Sequence, residues 1–284
     1  MKSTIFFGIT LLALGASALG QSSQDLVSQA DALFLEVEST LYTPEIHETL
    51  KGKMLQVIDL YEQALEQTGE DVYILTELAH AYYVLADIFT EDAKEKQKLH
   101  IVGQEYAERA LRADPDFAAL EKEKGFIAAV KAHGNVAALF WTYSNWARKI
   151  DLGGLGALIA AAFRGDDKKL YAIMERCIEL DPGFEYGGPL RALAAYWSKH
   201  PFKKDFDKVN ELLTQAMEDY PQYLENKLFY VQYYLIPKKL WAEAKTALEE
   251  ILAADVGEGD VLLQNGMVKV QAAELLEEVE EKLG

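Results

Sequence analysis

Apolar residues along this 284-residue chain recur at three- and four-residue intervals almost everywhere after Gln24, and runs alternating every second residue are nearly absent. That period lays side chains along one face of a helix, so the pattern predicts an all-α protein. The first amphipathic segment covers residues 25–41, and Thr43-Pro44-Glu45 opens the next with proline in the first turn, where its missing N–H costs nothing. Residues 53–66 continue helically. Asp71 is placed to cap a helix over 72–88, in which Leu75, Leu78, Ala79 and Tyr82 share a face. A helix over 97–113 comes next, delayed by an inserted segment at 89–96, and then one over 117–132 ending near His133-Gly134. Asn135 is a candidate cap for an aromatic segment over 137–150. Beyond the turn at Asp151-Leu152-Gly153-Gly154, a small-residue helix precedes helices over 166–180, 190–199, 208–218, 223–235, 241–252 and 261–283. No linker is long enough to divide the chain, so residues 21–284 are expected to form one helical domain.

One local phrase repeats. An apolar helix end, a polar turn and an aromatic recur in Leu111-Arg112-Ala113-Asp114-Pro115-Asp116-Phe117, in Leu180-Asp181-Pro182-Gly183-Phe184 and in Glu218-Asp219-Tyr220-Pro221-Gln222-Tyr223. A weaker copy, Tyr61-Glu62-Gln63-Ala64-Leu65, comes first. Small residues such as Ala110, Cys177 and Ala216 let neighbouring helices approach, and proline then forbids continuation. The second helix of a tetratricopeptide-like (TPR) pair ends in this way. The expected architecture is an irregular TPR-like helix-pair superhelix, an α-solenoid, with a C-terminal capping helix. Such arrays present a curved binding surface and seldom catalyse.

The ends and the composition narrow this further. Residues 1–20 read as a secretory signal peptide: Lys2 is positive, the stretch from Ile5 to Leu14 is too short to span a bilayer, and cleavage fits after Gly20 or after Ala18. The destination expected is the periplasm. The single cysteine, Cys177, excludes an internal disulfide and a lipid attachment site after the signal. A net charge of −18 repels nucleic acid, and the acidic residues read as solvated helix faces. His47, His80, His100, His133 and His200 show no metal-binding spacing, and Gly154-Leu155-Gly156 lacks the strand and third glycine of a dinucleotide loop. No enzyme, cofactor or metal is expected.

The run Phe140-Trp141-Thr142-Tyr143-Ser144-Asn145-Trp146, after Gly125-Phe126-Ile127-Ala128 and before Leu180-Asp181-Pro182, is the most distinctive segment. With Tyr186-Gly187-Gly188-Pro189-Leu190-Arg191 and Trp241-Ala242-Glu243-Ala244, it resembles the T-component family associated with TRAP transporters, over roughly residues 50–252. The resemblance implies a divergent TPR-like fold and a partner, the periplasmic solute-binding P component that feeds a membrane permease. It further implies a small hydrophobic, amphipathic or carboxylate ligand and a homo-oligomer. Members are commonly lipoproteins, a point from which this chain departs. The alternative is a general periplasmic TPR scaffold for protein–protein interaction in envelope assembly.

Candidate binding residues follow from helix geometry. If Leu75, Leu78, Ala79 and Tyr82 pack on the partner helix, then Tyr73, Thr76, His80 and Tyr83 form a separate stripe, which by the resemblance lines the concave surface. Phe229 and Tyr233 project similarly from their helix. Trp141 and Asn145, four apart, would place an amide donor beside an aromatic wall; the competing reading makes these aromatics ordinary core. Arg191, near a helix N-terminus, is a candidate carboxylate clamp, against a plain salt bridge to an acidic neighbour.

Overall fold

The computed structural model describes residues 21–284; the expected signal peptide at 1–20 lies outside the described residues. Every regular element among the described residues is helical. The chain runs through α1 (Ser23–Glu38), α2 (His47–Thr68), α3 (Val72–Asp87), α4 (Ala93–Ala113), α5 (Pro115–Lys124), α6 (Phe126–Ala132) and α7 (Val136–Leu152). It continues through α8 (Gly154–Arg164), α9 (Asp166–Leu180), α10 (Phe184–Lys199), α11 (Phe206–Asp219), α12 (Glu225–Tyr230), α13 (Trp241–Ala253) and α14 (Leu262–Leu283).

Side-chain caps set several of these starts. Asp71 accepts from the N–H of Ile74 at 3.1 Å and Asn135 from that of Ala138 at 3.1 Å, each satisfying an otherwise orphaned donor. Asp92 accepts from the N–H groups of Lys94 and Glu95, so α4 begins at Ala93 and the expected insertion over 89–96 shrinks to a short link. The helix expected over 117–132 is two: Gly125, at φ +87, ends α5 and redirects the chain into α6. In the segment expected as one helix over 223–235, α12 passes into a π-turn at Val231–Leu235.

Consecutive helices pair, α1 with α2, α3 with α4, α10 with α11 and α13 with α14, and α7 lies across α3 and α4. The close approach of α7 to α4 depends on Gly103, where an added Cβ would come within 2.7 Å of Asn145 Cγ. The main core runs from Leu26 and Phe34 of α1 through Leu139 and Ile173 to Leu263 and Met267 of α14. The last helix therefore does more than cap a row. Besides packing on α13, it returns to the start of the chain, where Gly266 lies against the backbone of Tyr42.

Candidate functional site

Two adjoining, half-open cavities lie between the helices. One, of about 330 Å³, lies among α3, α7, α8, α10 and the π-turn, with walls that include Ile88, Tyr143, Leu158, Leu170, Phe229 and Tyr233. The other, of about 350 Å³, is bordered by α1, α3, α7, the start of α10 and the 3-10 turn Gly259–Val261 that leads into α14. Tyr83, Val84, Ile88, Phe140, Arg191, Glu225 and Gln264 belong to both linings and form the partition between them.

Tyr73, His80, Tyr83, Trp141 and Arg191, spread over more than a hundred residues of sequence, all line the second cavity. At its centre the His80 imidazole stacks on the Trp141 indole, with centroids 3.9 Å apart and planes 13° off parallel. Tyr83 approaches the same indole at 5.3 Å. Tyr73, at 49 % exposure, sits at the rim and donates its hydroxyl hydrogen to Asp31 at 2.9 Å. Trp141 is 4 % exposed, so one side chain serves both core and cavity wall.

Two residues lie elsewhere. Thr76 is buried and returns its hydroxyl hydrogen to the Val72 carbonyl at 2.7 Å. On α3 the lining comprises Tyr73, Glu77, His80, Tyr83 and Val84, so Glu77 stands where Thr76 was expected. Asn145 is fully buried: its amide donates to the Ala79 and Trp141 carbonyls, both at 3.0 Å, and its Oδ1 lies 3.1 Å from His100 Nδ1. It clamps α3, α4 and α7 together and lines neither cavity.

Arg191 borders both cavities with its guanidinium already engaged. It donates to the carbonyls of Glu185 and Tyr186 at 2.9 and 2.8 Å and to Asn226 Oδ1 at 2.7 Å, and Nε pairs with Glu225 at 3.1 Å. The carboxylate it grips is the protein's own. These bonds hold a strained turn in which Glu185 and Tyr186 are both left-handed, at φ 50 and φ 52, ahead of Gly187. The turn brings Tyr186 onto Tyr223, ring on ring at 5.0 Å, and lets its hydroxyl donate to Asp260 at 2.7 Å.

The least expected lining is acidic. Asp31, Glu38, Glu77, Glu185, Glu225 and Asp260 all border the second cavity, although the sequence pattern placed acidic residues on solvated faces. Glu77, four residues after Tyr73 and three before His80, lies on the same side of α3 as both. Burial pushes the Glu38 carboxyl up to about 7; Glu185, Glu77 and Asp260 add to the effect, and His80, 3.6 Å away, opposes it. Burial disfavours protonated His80, but Glu77, Glu38 and Glu185 outweigh it and the net direction is upward. Burial raises Glu225 as well, against the pull of Arg191.

The helices thus frame two adjoining, half-open cavities. The chain belongs to the TRAP transporter T-component family, whose sequence profile matches residues 48–282. A comparison with curated proteins gives no match. Among the described residues, no helix is long and apolar enough to cross a membrane.

Proposed function

We propose that this protein is the periplasmic accessory component of a TRAP-type uptake system, which docks the solute-binding P component and holds a small amphipathic ligand in its joined cavities. The observation that supports this most directly is the pair of adjoining cavities inside a member of this family, of a size suited to a small organic molecule. Tyr73, His80, Tyr83 and Trp141 are the proposed ligand contacts, with Arg191 setting the partition. Thr76 and Asn145 leave the proposed site because their polar groups are spent on the backbone.

The docking surface that fits best is the outer face of α8. Phe163 is 83 % exposed and Leu155 is also exposed, on a helix whose Leu158, Ala161 and Ala162 line the first cavity. An apolar surface beside a cavity mouth suits a partner that delivers a ligand there. Co-purification from the native envelope fraction with a TRAP solute-binding protein, followed by mixing of the two purified proteins, tests the proposal. A stable complex that Phe163→Asp abolishes while helicity is retained supports it. Failure of the two purified proteins to associate overturns it.

A further inference from the structure

The face around α8 carries a charge unlike that of the rest of the molecule, and this bears on the surface it fits; the inference rests on the uptake reading for the partner's identity. The chain holds 46 Asp and Glu and a net charge of −18, yet residues 152–165 and residues 186–204 contain no carboxylate side chain at all. The first stretch is α8 with its leading turn; the second is most of α10 with the loop that follows it. The fold sets the two side by side. Leu158, Ala161 and Ala162 of α8 border the same cavity as His200 and Pro201 of the loop, and Asp167, just after α8, lies 3.9 Å from His200 Nε2.

Two aromatic rings stand out from this face. Phe163 is 83 % exposed near the end of α8, and Phe202 is 65 % exposed in the loop. The loop is a built turn: His200 Nδ1 accepts from the N–H groups of Phe202 and Lys203, at 3.1 and 3.0 Å, so the backbone is satisfied while the ring stays in water. A ring held out in this way gains little within the monomer, and aromatic rings buried on association supply much of an interface's energy.

The cations beside these rings are uncommitted. Lys168, Lys203 and Lys204 are exposed and, among the described residues, form no ion pair, whereas Arg164 is spent on Asp166 at 2.8 Å and Lys199 on Asp151 at 2.7 Å. Asp205, the next carboxylate along the loop, caps α11 by accepting from the Lys208 N–H at 3.1 Å. Apolar anchors within a cationic rim complement a partner whose apolar spot is ringed by carboxylates. The acidic remainder of the surface repels such a partner, so this face is where it lands.

We propose that α8 and the 200–205 loop together dock an acidic surface of the P component, with Phe163 and Phe202 as apolar anchors and Lys168, Lys203 and Lys204 as the cationic rim. Calorimetric titration of the mature chain with the purified P component, at about 0.05 M and about 0.5 M NaCl, tests this. Lys203→Glu and Lys204→Glu, made together, should weaken the complex roughly tenfold at the lower salt and less than about twofold at the higher, with the circular dichroism spectrum unchanged. Phe202→Ala should weaken it about tenfold at both, because it removes an anchor and no charge. A complex that the lysine reversal leaves unaltered or tightens overturns this inference and leaves the uptake reading standing. No complex at either salt overturns both. Other occupants are scored with the same variants by vesicle sedimentation and by ultracentrifugation of the chain alone. Binding to phosphatidylglycerol vesicles, or self-association, that these substitutions abolish while the P complex is unaffected gives the face to a membrane or to a second copy and overturns the proposal.

Discussion

Asp87 sits between Arg148 and His100: Arg148 donates to it from Nε at 3.0 Å and from Nη2 at 2.8 Å, and His100 Nε2 lies 3.2 Å away. Burial alone would raise its carboxyl, but Arg148 and His100 outweigh burial and hold it far below the ordinary value of 3.8. A folded-state pKa below the unfolded one gives stability that is present above about pH 4 and lost on acidification. Asp87→Asn should therefore cost roughly 2 kcal/mol near neutral pH and flatten the acid limb, as read by denaturant titration across pH. Glu38 behaves in the opposite sense. Its carboxyl, raised from 4.5 to about 7, contributes stability that is full below the unfolded value and lost as pH rises through the folded one. Glu38→Gln should then be more stable than the parent above neutrality by on the order of 2 kcal/mol, with the two converging in acid. Cys177 is fully buried against α7, with Sγ 3.9 Å from the Val136 carbonyl, and burial pushes its thiol up. Cys177→Ala should lose about 1 kcal/mol in chemical denaturation and leave ligand and partner binding intact.

Gly103 shows what an element requires of its neighbour. An alanine there would drive its Cβ into the Asn145 amide, which is held by bonds to α3 and α4 and cannot retreat. Gly103→Ala should cost about 2 kcal/mol, visible as a lowered melting temperature. Features set within one turn of helix were legible in the chain: the caps at Asp71 and Asn135 and the helix ends before proline. Gly125 was not, because a glycine inside a helical run looks the same whether the helix passes through it or turns there. Thr76 was misplaced for a different reason. Thr76 and Glu77 lie 100° apart on the helix, and which of them faces the cavity depends on where α1 and α7 cross, a non-local fact. The acidic wall was hidden likewise, since Asp31, Glu185 and Asp260 meet only once distant segments come together.

The whole molecule is held by that meeting of distant parts. Asp260, Leu263 and Gln264 line the second cavity from the C-terminal side, Asp31, Phe34 and Glu38 from the N-terminal side. A Cβ on Gly266 would lie 2.6 Å from the Tyr42 carbonyl oxygen and 2.8 Å from its nitrogen, both backbone atoms with little room to yield. Gly266→Ala should thus lower stability by about 2 kcal/mol and weaken ligand binding, even though it stands outside the lining, as melting and calorimetry would show. Open helical arrays lengthen and shorten in evolution by gaining or losing a repeat, because each unit meets only its neighbours and the free ends accept another. Here the final helix must reach the first. A duplicated or deleted pair would carry α14 away from Tyr42 and pull Asp260 from Tyr186, so among the described residues the contact between first and last helices ties down how many lie between them.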